Sequence, residues 1–268
     1  MMNKNSLDTL CASLCYALGV EPPEHAAAPN KDLTDYIDKV FEGQKADRVV
    51  MYNPDAVGQW LFEKYPQLFT EVVEATELQL PLRSPMPPVT PVCFGTMYTG
   101  AQPQVHGITE YRKPVLTIDT IFDALVRAGK KVALVAGPKG SVGKIFLERE
   151  IDYFLCKNIA EMNATAARLI MEDQHDFYVI YNGNYDYRMH RSAGPESMEA
   201  LAELRVNVLT YQTFDIMISQ HWGHHRTLMG FAMDHGCHLN EQGEGDHGLD
   251  IPEDRNITHF YKGKVGQA

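Results

Sequence analysis

The sequence predicts an α/β fold, a mostly parallel central sheet covered by helices on both faces. Two observations lead there. Short apolar runs rich in β-branched and aromatic residues (48–52, 131–136, 177–181 and 227–233) alternate with segments of helical period. Strands buried on both faces read as continuous apolar runs, and strands alternating with helices make parallel sheets. The second observation is size: 268 residues, 44% hydrophobic and 22% charged, can bury a large core as one or two domains. No internal repeat and no low-complexity segment interrupts the chain.

Taken in order, the apolar run at 10–20 forms an amphipathic first helix. Asp8 precedes it, Lys4 is the one basic residue upstream, and Glu21-Pro22-Pro23-Glu24 stands where a signal peptide would carry a small-residue cleavage site. A connector and a short helix at 31–43 follow. Residues 48–52 (RVVMY) form the first strand, ended by Asn53-Pro54-Asp55, with a helix expected over 56–65. Residues 71–82 read as extended and run into the proline-rich approach to Thr90. A helix at 120–128 closed by Gly129 leads to KVALVA, a helix–Gly–strand order common in α/β chains. A helix over 159–172, a strand at 177–181, a long helix over 196–219 and a strand at 227–233 complete the alternation, and residues 259–261 form a last short strand. The domain plan is a helical lead-in, 1–45, followed by the α/β domain, 46–268.

Charge and cysteine usage exclude some functions. A net charge of −11 opposes an extended grip on a nucleic-acid polymer or an anionic membrane, while a small phosphate can still bind where metal ions supply positive charge. Five cysteines without a CxxC pair indicate a reducing compartment, so a cytoplasmic location is expected. No apolar run is long enough to span a membrane.

The chemistry-bearing residues fall at one address. Asp55, the segment 182–186 and Asp234-His235 each follow a predicted strand, and ligands bind beyond the carboxyl ends of such strands. Prolines at 85, 87, 88 and 91 fix the backbone around Thr90, as suits a side chain held at one angle. Six of eleven histidines (His221, His224, His225, His235, His238, His247) lie between 221 and 247, mixed with Asp234 and Asp246. Imidazoles together with carboxylates suit Zn²⁺ or Mn²⁺. Taken singly, each residue has an ordinary structural role: Asp55 as a helix cap, Gly236 as a left-handed turn residue, Thr90 as a turn threonine. The run Gly137–Lys144 has Pro138 where a phosphate-binding loop needs glycine and is followed by Ile145 where it needs Ser or Thr, so it reads as a surface turn.

The pattern PxTPxxxxxxxTGxxPxxHGI at 88–108 resembles the nucleophile motif of the alkaline phosphatase superfamily, nearest to its nucleotide pyrophosphatase/phosphodiesterase and phosphonoacetate hydrolase branches. Thr90 and Thr99 reproduce the spacing of nucleophile and TG pair. Asp186-x-x-x-His190, Asp234-His235-Gly236 and Gly245-Asp246-His247-Gly248 follow in the family's order. The resemblance implies an alkaline phosphatase-like fold with Thr90 as nucleophile. Asp55, Thr90, Asp234 and His235 would hold one metal and Asp186, His190 and His247 the other. It implies a two-metal hydrolase of phosphate esters, phosphodiester or nucleotide pyrophosphate bonds first, acting through a threonyl-phosphate intermediate. Phosphonate or phosphomonoester hydrolysis is the alternative within the superfamily, and a catalytically silent metal- or nucleotide-binding module the alternative outside it.

Departures from the family pattern concern the substrate. Tyr111, followed by Arg112 and Lys113, stands where phosphodiesterase relatives carry an asparagine, so Tyr111 and Lys113 are the expected substrate contacts. One extra residue separates His190 from Gly194-Pro195. The chain is short for the superfamily and leaves little or no room for a cap domain, which implies an open site or one completed within a homo-oligomer. His221, His224, His225 and His238 have no place in the pattern.

Overall fold

A computed structural model describes residues 1–266. Seven strands form one sheet in the order β2-β9-β6-β1-β5-β3-β4. They are β1 (Arg48–Pro54), β2 (Leu78–Arg83), β3 (Val132–Ala136), β4 (Asp152–Leu155), β5 (Phe177–Asn182) and β6 (Thr227–Phe231), with β9 (Asn256–Lys264) as the seventh. The two-residue strands β7 (His238–Leu239) and β8 (Gly245–Asp246) make a separate ribbon. β1 pairs in parallel with β5 and β6, and β3 with β4 and β5, while β9 runs antiparallel between β6 and β2.

The sequence explains the centre of this sheet. Residues 49–54 of β1 are all buried, although successive side chains point to opposite faces. Both faces are therefore covered. The Thr9–Leu18 helix packs with the Thr90–Thr99 and Ile121–Arg127 helices, and the Met198–His221 helix packs with Ile159–Glu172, Thr70–Ala75 and Asn184–Met189. Leu10, Cys11 and Leu14 share one continuous core with Val50, Met97 and Leu134. The Thr120–Asp123 capping box starts one helix and Asn158 caps another, satisfying N–H groups that have no partner inside the helix. Among the described residues no helix is long and apolar enough to cross a membrane.

Some expectations need correction. Residues 70–75 form a helix rather than an extended lead to β2, because three β-branched residues there serve tertiary packing rather than strand pairing. The helix expected over 56–65 spans only Gln59–Lys64: Ala56 takes a left-handed φ of 61°, which turns the chain sharply after Asp55. β4 was not anticipated; its short DYFL run carries little signal of its own. The last strand is nine residues long, not three.

One pH-dependent element lies in this sheet. His259 is buried, its Nε2 lies 2.6 Å from the Met233 carbonyl, and burial pushes its pKa down to about 4. The unfolded chain therefore binds this proton more readily than the folded one. Stability from keeping the ring neutral is present above about pH 6.5 and is lost as pH falls from there to about 4. Between pH 7 and 4.5, His259→Gln is expected to lose about 2 kcal/mol less unfolding free energy than the parent. Urea unfolding at the two pH values measures this difference.

Candidate metal centre

The sequence brings Thr90 to the sheet's carboxyl edge by local rules. Thr90 is the first residue of the Thr90–Thr99 helix, with Pro91 in its first turn and left-handed Gly100 closing it. The TGxxPxxHG part of the motif locks this helix. His106 Nε2 lies 3.1 Å from Thr96 Oγ1, and its Nδ1 accepts from the Ile108 N–H at 3.2 Å. Gly95 lets this ring approach, since a Cβ there would lie 2.8 Å from it.

Asp55 follows β1, and its N–H donates to the Asn182 carbonyl at 3.0 Å. Asp234-His235 lies just beyond β6. All three of these side chains are 0–1% exposed. Thr90 Oγ1 stands 3.4 Å from both Asp55 carboxylate oxygens and from His235 Nε2. His235 Nε2 is in turn 3.4 Å from Asp55 Oδ1 and from Asp234 Oδ2.

These spacings are too long for good hydrogen bonds. Four donors each about 2.1 Å from a common centre lie about 3.4 Å apart on a tetrahedron, the preferred arrangement around zinc. The tautomer agrees: His235 Nδ1 donates to the Gly236 carbonyl at 2.9 Å, leaving the Nε2 lone pair facing the carboxylates. Asp234 Oδ2 is buried without a hydrogen-bond partner among the described residues. Burial, then the proximity of Asp234 and Asp186, pushes the Asp55 carboxyl well above the usual range; burial does the same to Asp234. A cation between such buried carboxylates would stabilise their charged forms.

A second trio adjoins the first. Asp186 lies in the first turn of the Asn184–Met189 helix and His190 caps its end, one helical turn apart; the sequence did not announce this helix. His190 Nε2 and His247 Nε2 lie 3.2 and 3.3 Å from Asp186 Oδ1. That oxygen and His247 Nδ1 are buried without hydrogen-bond partners among the described residues. His190 Nδ1 lies 2.7 Å from the Gly245 carbonyl, which orients the ring as an outer partner orients a metal-ligating histidine. Burial opposes ionisation of Asp186, but His190 and His247 outweigh it and hold the carboxyl below its usual range; Asp186 in return raises the pKa of His190. The rings of His235 and His247 are 4.4 Å apart between centroids, so the trios form one centre. Its donor set, three carboxylates, three imidazoles and a hydroxyl, fits zinc or manganese.

The structure thus gathers Asp55, Thr90, Asp186, His190, Asp234, His235 and His247, drawn from five separate stretches of sequence. It does not gather the two expected substrate contacts. Tyr111 is exposed, and Lys113 Nζ contacts the Lys139 carbonyl at 3.3 Å and the Tyr111 ring; neither bonds to a member of the centre among the described residues. Tyr181 is the residue sequence reasoning missed. Its hydroxyl donates to Asp55 Oδ2, and burial and Asp55 push its pKa far up, so it stays a neutral donor. The available signal was its place in β5, next to the strand that ends at Asp55. Tyr181 also lines a cleft of about 690 Å³ formed with Gly137, Lys157, Ile159, Met162 and Tyr187.

Gly236 corrects a sequence expectation. It has no left-handed φ; a Cβ there would stand 2.0 Å from the Glu253 carbonyl oxygen, so close backbone approach requires glycine. Gly236→Ala is expected to cost about 3 kcal/mol of stability, measured by thermal or urea unfolding. His238, beside it, is 2.7 Å from Asp254 and braces the same turn.

No model of a known protein family and no curated protein sequence matches this chain. Solved structures do. Murine ectonucleotide pyrophosphatase/phosphodiesterase 5, an inactive threonine-to-alanine variant in complex with AMP, is 15% identical with a TM-score of 0.58, over 73% of this chain and 59% of that one. Phosphonoacetate hydrolase from Sinorhizobium meliloti 1021, in complex with phosphonoformate, is 19% identical with a TM-score of 0.52, over 77% and 62%. The human counterpart of the murine protein is 13% identical with a TM-score of 0.58, over 73% and 58%. The match covers about three fifths of the length of these structures. The chain therefore has the fold of the alkaline phosphatase superfamily, as the ectonucleotide pyrophosphatase/phosphodiesterase and phosphonoacetate hydrolase structures display it.

Proposed function

We propose that the protein is a metal-dependent hydrolase of phosphate esters, acting on phosphodiester or nucleotide pyrophosphate bonds with Thr90 as nucleophile. The observation that carries this reading is the Thr90 hydroxyl, 3.4 Å from Asp55 and from the His235 Nε2 lone pair, inside a group of buried imidazole and carboxylate donors. Likeness of fold supports it, as does the murine structure's description as an inactive threonine-to-alanine variant with AMP bound.

Asp55, Thr90, Asp234 and His235 would hold one divalent ion, and Asp186, His190 and His247 another. Bound there, such ions supply Lewis acidity that favours the alkoxide form of a threonine and neutralises phosphoryl oxygens. The chain's own residues do the rest. The motif's prolines and the His106 lock hold Thr90 at the helix start, and its hydroxyl proton passes to solvent water as Oγ attacks phosphorus. The Thr90 Oγ–phosphorus bond forms as the bond to the leaving oxygen breaks, and that oxygen departs with a proton from solvent. Attack of water on the threonyl phosphate then releases phosphate or its monoester and restores the hydroxyl. Tyr181 keeps Asp55 from rotating. The cleft beside it, apolar through Ile159, Met162 and Tyr187 with Lys157 at its rim, suits a flat organic leaving group. Tyr111 and Lys113 lie outside the centre and are kept as contacts to the distal part of the substrate, so Lys113→Ala is expected to raise KM a few-fold and leave kcat unchanged.

Hydrolysis of bis-p-nitrophenyl phosphate faster than p-nitrophenyl phosphate, with Zn²⁺ or Mn²⁺, is the expected result. Activity on phosphonoacetate alone would favour the phosphonate reading. Failure on all three substrates by a metal-loaded protein would favour a silent binding module.

A further inference from the structure

A second set of imidazole and carboxylate donors lies at the opposite end of the sheet. Arg48 opens β1 and Asp55 follows its last residue, so the two ends are roughly 20 Å apart at about 3.3 Å per residue. Near Arg48, Asp173 ends the Ile159–Glu172 helix with a left-handed φ of 48°, a conformation that costs most L residues about 1 kcal/mol and that aspartate tolerates better than most. Arg48 Nε donates to Asp173 Oδ1 at 2.9 Å, which fixes the carboxylate and leaves Oδ2 facing the loop that enters β6.

Two adjacent histidines turn to that one oxygen. His225 Nε2 lies 2.8 Å and His224 Nε2 3.7 Å from Asp173 Oδ2. The ring centroids are 3.9 Å apart, and one donor atom from each residue lies within 4.8 Å of the others. A simple ion pair with Asp173 accounts for His225. It does not account for the neighbouring His224 ring, 65% exposed, folding back toward the same oxygen instead of extending into water. We propose that Asp173, His224 and His225 form a further divalent-cation site, separate from the Thr90 centre. The separations of 2.8 and 3.7 Å bracket the roughly 3.4 Å between donors on a zinc tetrahedron, and the exposed side leaves the fourth position to water. Two imidazoles and one carboxylate suit Zn²⁺, Ni²⁺ or Cu²⁺ better than Mg²⁺ or Ca²⁺. Arg48 plays the orienting part that outer partners play for ligating side chains. A bound ion takes the place of the Nε2 proton of His225 and clips the end of the Ile159–Glu172 helix to the entry of β6.

Zinc is the probe. After equilibrium dialysis against zinc, elemental analysis of the parent protein is expected to give one equivalent more than a His224→Ala/His225→Ala variant. Its affinity for that equivalent falls about 10–100-fold with His224→Ala alone, a change at an exposed side chain that leaves folding intact. Zinc also slows amide exchange over residues 222–227 in the parent and not in the variants. Equal zinc content and equal exchange in all three proteins would overturn the site. These readings are differences at residues remote from Thr90, so they stand or fall independently of phosphate ester hydrolysis.

Discussion

Thr90→Ala is expected to lower turnover of a phosphodiester substrate by about 10⁴-fold while leaving metal content nearly unchanged. The size follows from the role: a nucleophile that forms the covalent intermediate has no partial substitute, and removal of such groups costs activity on this scale or more. Retention of metal follows from the geometry. Asp55, Asp234 and His235 keep three donors on one side of the centre, and the second trio does not involve Thr90. Steady-state kinetics together with elemental analysis of the variant checks both halves. Turnover within tenfold of the parent would show that Thr90 is not the nucleophile.

Asp234→Asn is expected to move two properties in opposite directions. Affinity for metal falls at least 10–100-fold, because a carboxylate ligand becomes a neutral amide. Stability of the metal-free protein rises by about 1–3 kcal/mol at pH 7, because a fully buried carboxylate with an unpartnered oxygen is replaced by a neutral group of the same shape. The sign follows from the pKa shift. A carboxyl whose folded pKa is raised stabilises the fold at low pH, and that contribution is lost as pH rises above the usual carboxylate range. The asparagine does not titrate, so its advantage appears at neutral pH and fades on acidification. Unfolding of chelated parent and variant, beside a zinc titration of each, separates the two effects. A variant that binds zinc as tightly as the parent would remove Asp234 from the centre.

The alternation of strands and helices was legible because the central strands are buried on both faces and so carry unbroken apolar runs. The edge was less so. β4 is short and half exposed, and β9 mixes Asn256, Thr258 and His259 with its apolar residues, so neither shows a clean period. At the candidate centre, seven residues were legible as an ordered pattern, and proximity in space follows from the sheet, which delivers Asp55 and Asp234 from neighbouring strands β1 and β6. Tyr181 was hidden because a tyrosine in a buried strand looks like core until its hydroxyl is seen on Asp55. Tyr111 and Lys113 were expected as substrate contacts from the family resemblance; the structure exposes Tyr111 and sets Lys113 against the Lys139 carbonyl. Spacing along the chain says less about loop residues than about those on regular elements, because a loop's path is set by what it packs against.

The most direct test of a cation-dependent Thr90 centre is removal and return of metal, followed by activity on bis-p-nitrophenyl phosphate. Exhaustive chelation is expected to abolish hydrolysis, and titration with Zn²⁺ or Mn²⁺ to restore it in the parent but not in Thr90→Ala. Full activity in protein verified to be metal-free would contradict the account.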